Sequence, residues 1–382
     1  MTHLRWTTAG ESHGRALIGI LEGLPSGLEL SSERIDAELA RRQQGWGRGG
    51  RMRIESDRVN VLAGLRAGRT LGSPLALSLE NRDATIERLP VPPSPRPGHA
   101  DLAGAQKHLA PDPRAVLERA SARETAMRVA LGSAARQVLE AFGVELFAHV
   151  VELGGDAARA DAFEAAGEGR ATLRAASDFH ALDPEREGPW RAAVDRAKEA
   201  GDTLGGVFEL RVLGLPPGLG GYANPSDRLT SRLGAALLSI PAMKGVEFGL
   251  GFEAARRPGS EVHDAIVPAA DGARWGRFAR ATNRAGGLEG GMTTGEPLIA
   301  RVAMKPISTL RRGLPTVEFG SGAAVESTWQ RSDVTSVPAA SVVGEAVAAL
   351  VLAQAFLEQF AGDSLEQVRG SFERYAEGLR RL

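Results

Sequence analysis

The chain has 382 residues, enough for a large buried core, and its formal net charge of −1 argues against a general nucleic-acid binder. All but four of its 46 basic residues are arginine, and it has no cysteine, which excludes disulfides and thiolate metal sites and suits a reduced, cytoplasmic setting. The opening Met1-Thr2-His3-Leu4-Arg5-Trp6 lacks a signal-peptide core, and the apolar run Ala346 to Leu357 reads as too short to span a bilayer, so no membrane partner is expected.

In chain order, Gly10-Glu11-Ser12-His13-Gly14 places a histidine between glycines, where backbone can approach a ligand closely. Residues 15–24 alternate and read as a strand. A helix begins near Ser31 or Ser32, with Ile35 and Leu39 one turn apart. It runs into a glycine- and arginine-rich stretch, 41–53, read as a loop and a flap able to close over a ligand. Strand-like segments follow at 52–61 and 73–80, then a proline-rich approach to Arg96-Pro97-Gly98-His99-Ala100-Asp101.

A long helix is expected over roughly 114–142, with Met127, Leu131, Ala134, Val138 and Phe142 as its apolar seam and Gly143 as its stop. Within it, Arg119 and Arg123 stand four apart around Ser121, a spacing that puts both on one helix face as an anion site. A strand over 144–153 leaves this helix, and 154–204 reads as a surface excursion. A strand at 206–213, a helix from Ser226, a strand at 297–304 and helices at 339–361 and 364–380 complete the chain. In the last helix Ser364 and Gln367 form a capping box, and Leu365, Val368, Phe372, Tyr375 and Leu379 form a seam that suits intramolecular packing or an oligomer contact. Helices and antiparallel-looking strands come in mixed blocks, so the expected class is α+β, and no linker divides the 382 residues into separate domains.

Several motif matches fail on context. Gly10 to Gly14 fits G-x-S-x-G, but only nine residues precede it and a β-rich segment follows, unlike a nucleophile elbow. Gly218-Leu219-Gly220-Gly221-Tyr222-Ala223 matches a dinucleotide fingerprint by letter, yet Asn224-Pro225 follows where a helix must start, so a turn is the better reading. No lysine precedes Ser or Thr, which rules out a Walker A loop. An RNA-binding reading of the arginine loop and an ordinary flavin oxidoreductase remain as alternatives. No metal site is expected.

The three islands around His13, His99 and Arg123, together with Arg42, Gly47-Arg48-Gly49-Gly50-Arg51, Gly201-Asp202-Thr203, Lys244-Gly245-Val246-Glu247, Gly290-Gly291-Met292, Lys305-Pro306-Ile307 and Arg331-Ser332-Asp333, resemble the chorismate synthase family in order and over nearly the whole chain. The resemblance implies a β-α-β sandwich with central helices, usually assembled as a tetramer. It implies a lyase of the shikimate pathway that removes phosphate and a proton from 5-enolpyruvylshikimate 3-phosphate by 1,4-anti elimination, needing reduced FMN without net redox change. NADPH or an external flavin reductase would supply the reducing power, and the sequence does not choose between them. By the same resemblance His13 is the acid toward phosphate, with Ser12 beside it; His99 protonates reduced flavin; and Asp333 assists proton removal. Arg42, Arg48, Arg51, Arg96, Arg123 and Arg331 match the anion-binding set. FMN contacts carry over to Arg119, Ala120, Ser121, Ala242, Gly290, Lys305, Pro306, Ile307, Ser308, Thr309 and Arg331. Ala120 stands where the family commonly has serine and Pro241 where it has asparagine, which makes the Pro241 region the least secure part of the flavin site.

Overall fold

A computed structural model of the chain describes residues 4–49, 56–110, 112–327 and 333–382. Two antiparallel sheets enclose a layer of helices. The first contains β1 (Arg5–Ala9), β2 (Ala16–Glu22), β3 (Asn60–Ala63) and β4 (Leu75–Glu80) in the order β1-β2-β4-β3. The second contains β5 (Glu145–Leu153), β6 (Asp156–Ala157), β7 (Gly206–Leu213), β8 (Met243–Phe248) and β9 (Leu298–Met304) in the order β8-β9-β7-β5-β6.

Alternation fixes which face each sheet turns inward, because a one-residue slip would expose every leucine. Leu17 opposes Leu79 and Leu21 opposes Leu75 across β2 and β4, and all four are buried. In the second sheet Leu146, Val212 and Leu298 form one cross-strand row, and Val150, Phe208 and Val302 another, again buried.

Ten helices are named here: α1 (Ser32–Gln43), α2 (Asp101–His108), α3 (Arg114–Arg119), α4 (Thr125–Glu140), α5 (Ala162–Ala166), α6 (Arg170–Ala176), α7 (Glu187–Glu199), α8 (Leu229–Leu238), α9 (Val337–Gln359) and α10 (Leu365–Arg381). Helix α4 packs on β2 and β4, α9 packs on β5 and β7, and the two helices pack on each other, giving the sheet–helix–sheet order of an α+β sandwich. They cross closely because Gly132 has no side chain: a Cβ there would lie 2.4 Å from the carbonyl oxygen of Ala346.

Helix α9 is 23 residues long, close to the expected 339–361, and is long and apolar enough by composition to cross a membrane, which corrects the reading that its apolar run is too short. It is instead the core helix of the sandwich, with 89% of its most apolar window buried. A helix that is apolar all round needs cover on every side, and the second sheet with α1, α4 and α8 supplies it.

The expected helix over 114–142 is broken. Ser121 is extended, with φ −65° and ψ 144°, and its hydroxyl accepts from Arg123 N, so α3 stops at Arg119 and α4 starts afresh at Thr125. A serine that hydrogen-bonds its own backbone competes with the helix in this way. The seam of α4 is otherwise as expected, with Met127, Leu131, Ala134 and Val138 fully buried.

Segment 154–204 is largely helical and is not a mere surface excursion. Phe179, Trp190 and Val194 enter the main core, a packing that their polar spacing conceals. The seam of α10 packs within the chain: Phe372 meets Phe142, Phe356 and Phe360, and Tyr375 donates to Pro217 O at 2.9 Å.

Candidate active site

Three clusters of sequence-predicted residues surround the ends of α1, α3 and α9. The first is built on the β1–β2 turn. Gly10 has φ +107°, and a Cβ there would lie 2.3 Å from Ala16 O, so only glycine permits the turn that presents Ser12 and His13. Ser121 Oγ donates to Ser12 Oγ at 3.1 Å, and Glu118 O accepts from Ser12 N at 3.1 Å. His13 Nδ1 lies 2.9 Å from Glu118 Oε2, and His13 Nε2 lies 3.7 Å from Asp83 Oδ2.

Beside these lie the guanidinium groups. Arg123 is buried and donates to Asp57 Oδ1 at 2.6 Å, Asp57 Oδ2 at 2.8 Å and Asn81 Oδ1 at 2.8 Å. Arg42 donates to Thr125 Oγ1 at 3.0 Å and Ala122 O at 2.8 Å. Its Nη1 finds no hydrogen-bond acceptor among the described residues, the nearest carboxylate being Asp57 Oδ2 at 4.0 Å. Burial pushes the Arg42 guanidinium down to about 10; Asp57 opposes that shift, while Arg48 and Arg123 add to it. It therefore stays cationic at neutral pH, yet crowded by like charge, which is the state that favours an incoming anion.

The break after α3 separates Arg119 from Arg123 and corrects the shared-face expectation. Arg119 turns outward and donates to Gly10 O and Thr8 O, each at 3.0 Å, whereas Arg123 turns into the protein. The arginine-rich loop also starts later than 41, and residues 50–53 of the expected flap lie outside the described residues. Arg41 and Arg42 belong to the last turn of α1, and Arg41 is tied to Glu345 and Glu38. Arg48 pairs with Asp333 Oδ2 at 2.6 Å, so these cations are not a solvent-facing strip for RNA. Arg51 and Arg331 lie outside the described residues.

The second cluster centres on His99. Asp101 Oδ1 lies 2.5 Å from His99 Nδ1, and Arg96 grips the same carboxylate through Nε and Nη2 at 2.8 and 3.0 Å. Burial would raise the Asp101 carboxyl, but the bonds from His99 and Arg96 outweigh it and hold the group well below its usual range. Arg96 also reaches Thr309 Oγ1 at 3.3 Å, and Lys305 Nζ donates to Gly98 O at 2.6 Å, which ties the 305–309 turn to the His99 island. Burial and then Lys244 lower the Lys305 ammonium.

Ala242 joins this group, since its carbonyl accepts from Lys305 N at 3.0 Å. Its φ of 72° is unusual for alanine, costs on the order of 1 kcal/mol, and is the kind of strain found where backbone is aimed at a ligand. Pro306, Ile307 and Ser308 complete the turn, with Ile307 O held by Thr203 Oγ1 at 2.7 Å. Ala120 lies beside Ser121 at the helix break. Gly290 stands apart: it sits in a tight turn whose bonds run to 219–229, through Gly291 O to Leu229 N and a bridge between Gly220 and Met292.

The third cluster joins the loop after α1 to the start of α9. Asp333 accepts from Gly49 N at 2.5 Å and Ser336 Oγ at 2.6 Å besides pairing with Arg48. Val334 N donates to Gly47 O, and Leu204 N donates to Val334 O, linking this cluster to the Thr203–Ile307 contact of the second. Four residues absent from the sequence-based set of site residues hold the first two clusters in place: Glu118, Asp57, Asn81 and Asp101. Asp101 lay inside a quoted motif and Glu118 immediately before one, whereas nothing local marks Asp57 or Asn81.

The chorismate synthase family profile matches residues 4–357. A curated chorismate synthase of Trichlorobacter lovleyi is 50% identical over 99% of this chain and all of its own length. One of Rubrobacter xylanophilus is 51% identical over 99% of this chain and 97% of its own. A crystal structure of a chorismate synthase, 40% identical, superposes with a TM-score of 0.81 over the full chain and 99% of its own. The shared sandwich and the nearly end-to-end identity lead to one conclusion: this chain belongs to the chorismate synthase family.

Proposed function

We propose that the chain converts 5-enolpyruvylshikimate 3-phosphate to chorismate by a 1,4-anti elimination in which the allylic C–O bond to phosphate breaks and a ring proton is lost. The observation that carries the reading is the gathering of Arg42, Arg48 and Arg123 near the Ser12–His13 turn, where a buried guanidinium retains an unmatched donor. Charge-assisted bonds from such groups contribute roughly 1.5–3 kcal/mol each toward phosphate and carboxylate. His13 Nε2 supplies a proton to the departing phosphate, and Ser12 holds the turn that carries it. Asp333, fixed by Gly49 and Ser336, is the carboxylate toward which the ring proton moves.

The chain's donors suit FMN. Lys305 and Arg119 offer cations for its phosphate, and the 305–309 turn with the strained Ala242 offers close backbone; His99 and Arg96 stand beside that turn. Bound reduced FMN would supply the electron-rich surface that weakens the allylic bond. A homotetramer accompanies this reading, supported by exposed Ile18 and Ile20 on the outer face of the first sheet.

Anaerobic phosphate release from the enolpyruvyl substrate, measured with reduced and with oxidised FMN, is the test. Release only with reduced FMN is expected; equal rates, or none, sink the proposal. Oxidised FMN with NADPH and no added reductase shows whether the chain reduces its own flavin. His13→Ala and His99→Ala should each slow turnover by about a hundredfold or more while substrate still binds, as removal of a proton-transfer group does. Near-normal turnover in either removes that histidine from the chemistry.

A further inference from the structure

We propose that Glu118 is the positioning residue of His13: its carboxylate fixes the imidazole so that Nδ1 carries a proton toward Glu118 and Nε2 faces the reacting phosphate. The inference rests on the reading of His13 as proton donor. Three bonds make the case. Glu118 Oε2 lies 2.9 Å from His13 Nδ1 and accepts from His13 N at the same 2.9 Å, while Glu118 O accepts from Ser12 N at 3.1 Å. One residue thus holds the ring, the main chain and the neighbouring serine of the turn.

The carboxylate is fully buried in α3, whereas the imidazole keeps 22% of its surface, so Glu118 lies behind the ring on the protein side. Burial would push the Glu118 carboxyl up, but the hydrogen bond and charge of His13 and the bond from Arg114 bring it below its ordinary value. A buried carboxylate bonded to one imidazole nitrogen fixes the ring's orientation and selects the tautomer of the neutral ring. The charged groups facing His13 are Glu118, Asp83 at 3.7 Å from Nε2, and Arg114, which reaches Glu118 Oε1 at 3.3 Å.

Glu118→Gln keeps the shape and removes the charge. In the full-length enzyme kcat is expected to fall about ten- to a hundredfold with KM changed less than about threefold. In a His13→Gln background the same substitution should add almost nothing, because residues acting as one unit are not additive.

A readout independent of turnover is acylation of His13 by diethylpyrocarbonate, followed by peptide mass spectrometry. The ratio of Nδ1- to Nε2-acylated peptide should rise severalfold in Glu118→Gln, since the carboxylate no longer holds Nδ1, and Asp83→Asn serves as the control. Should Gln not be tolerated, Glu118→Asp, which keeps the charge but shortens the reach, is expected to lower kcat with a smaller change in that ratio. An unchanged acylation ratio in Glu118→Gln, or a full kcat loss persisting without His13, overturns the inference. Loss of FMN-dependent activity in the parent with the acylation shift intact would instead overturn the reaction assigned above.

Discussion

Arg42 and His180 show what burial does to a single charge. Arg42 is locked by Thr125 and Ala122 in a geometry only a planar fork fits, so Arg42→Lys cannot keep both bonds. We expect KM for the phosphorylated substrate to rise about tenfold or more in that variant, and a KM within twofold of the parent would remove Arg42 from substrate binding. His180 is buried beside Arg41 and Arg174, and burial first, then those cations, push it from 6.5 down to about 4. The unfolded chain therefore takes up a proton on His180 near pH 6.5 while the folded chain does not. Stability falls as pH drops from 6.5 to about 4, by roughly 3 kcal/mol for this group alone. Urea titrations at pH 7 and pH 4.5 should show a smaller loss in His180→Asn than in the parent; equal losses would mean that His180 does not contribute.

At the scale of elements, Glu345 in the middle of α9 ties four others to it. Its carboxylate meets Arg41 of α1, Arg136 of α4 and Arg174 of α6, and accepts from Ala148 N of β5. Burial raises this carboxyl, but the three arginines outweigh it and hold it at about 2. Its contribution is complete above the ordinary carboxyl range and is lost only as pH falls toward 2, a more acidic window than that of His180. Removing one partner of a buried ionic cluster is costly because the others stay buried, so Glu345→Gln should lower stability by about 3 kcal/mol or more. An unchanged denaturation midpoint would show the cluster to be dispensable. Gly132→Ala places a methyl against the Ala346 backbone and should cost about 1–3 kcal/mol in the same assay. Much of the element layer was legible beforehand: strand 206–213 and the Ser364 capping box are where periodicity and cap chemistry put them. The break at Ser121 was not, because nothing in the spacing announces that one hydroxyl will prefer its own backbone to the helix.

Across the whole molecule, α+β class followed from mixed blocks of alternation and helical periodicity, whereas the layer order did not follow from periodicity. It depends on contacts far apart in sequence, such as Gly132 against Ala346, that no local window contains. The site divides the same way. Histidines among glycines stand out in the sequence, while Asp57 and Asn81 earn their places only by meeting Arg123 across the fold. The position of α9 has a kinetic consequence. The second sheet and α4 both pack on a helix that begins at Val337, so everything before it is synthesised without that filling. Ribosome-bound chains ending at residue 336 should remain open to protease and in need of chaperones, and resistance should arrive abruptly once α9 has left the exit tunnel.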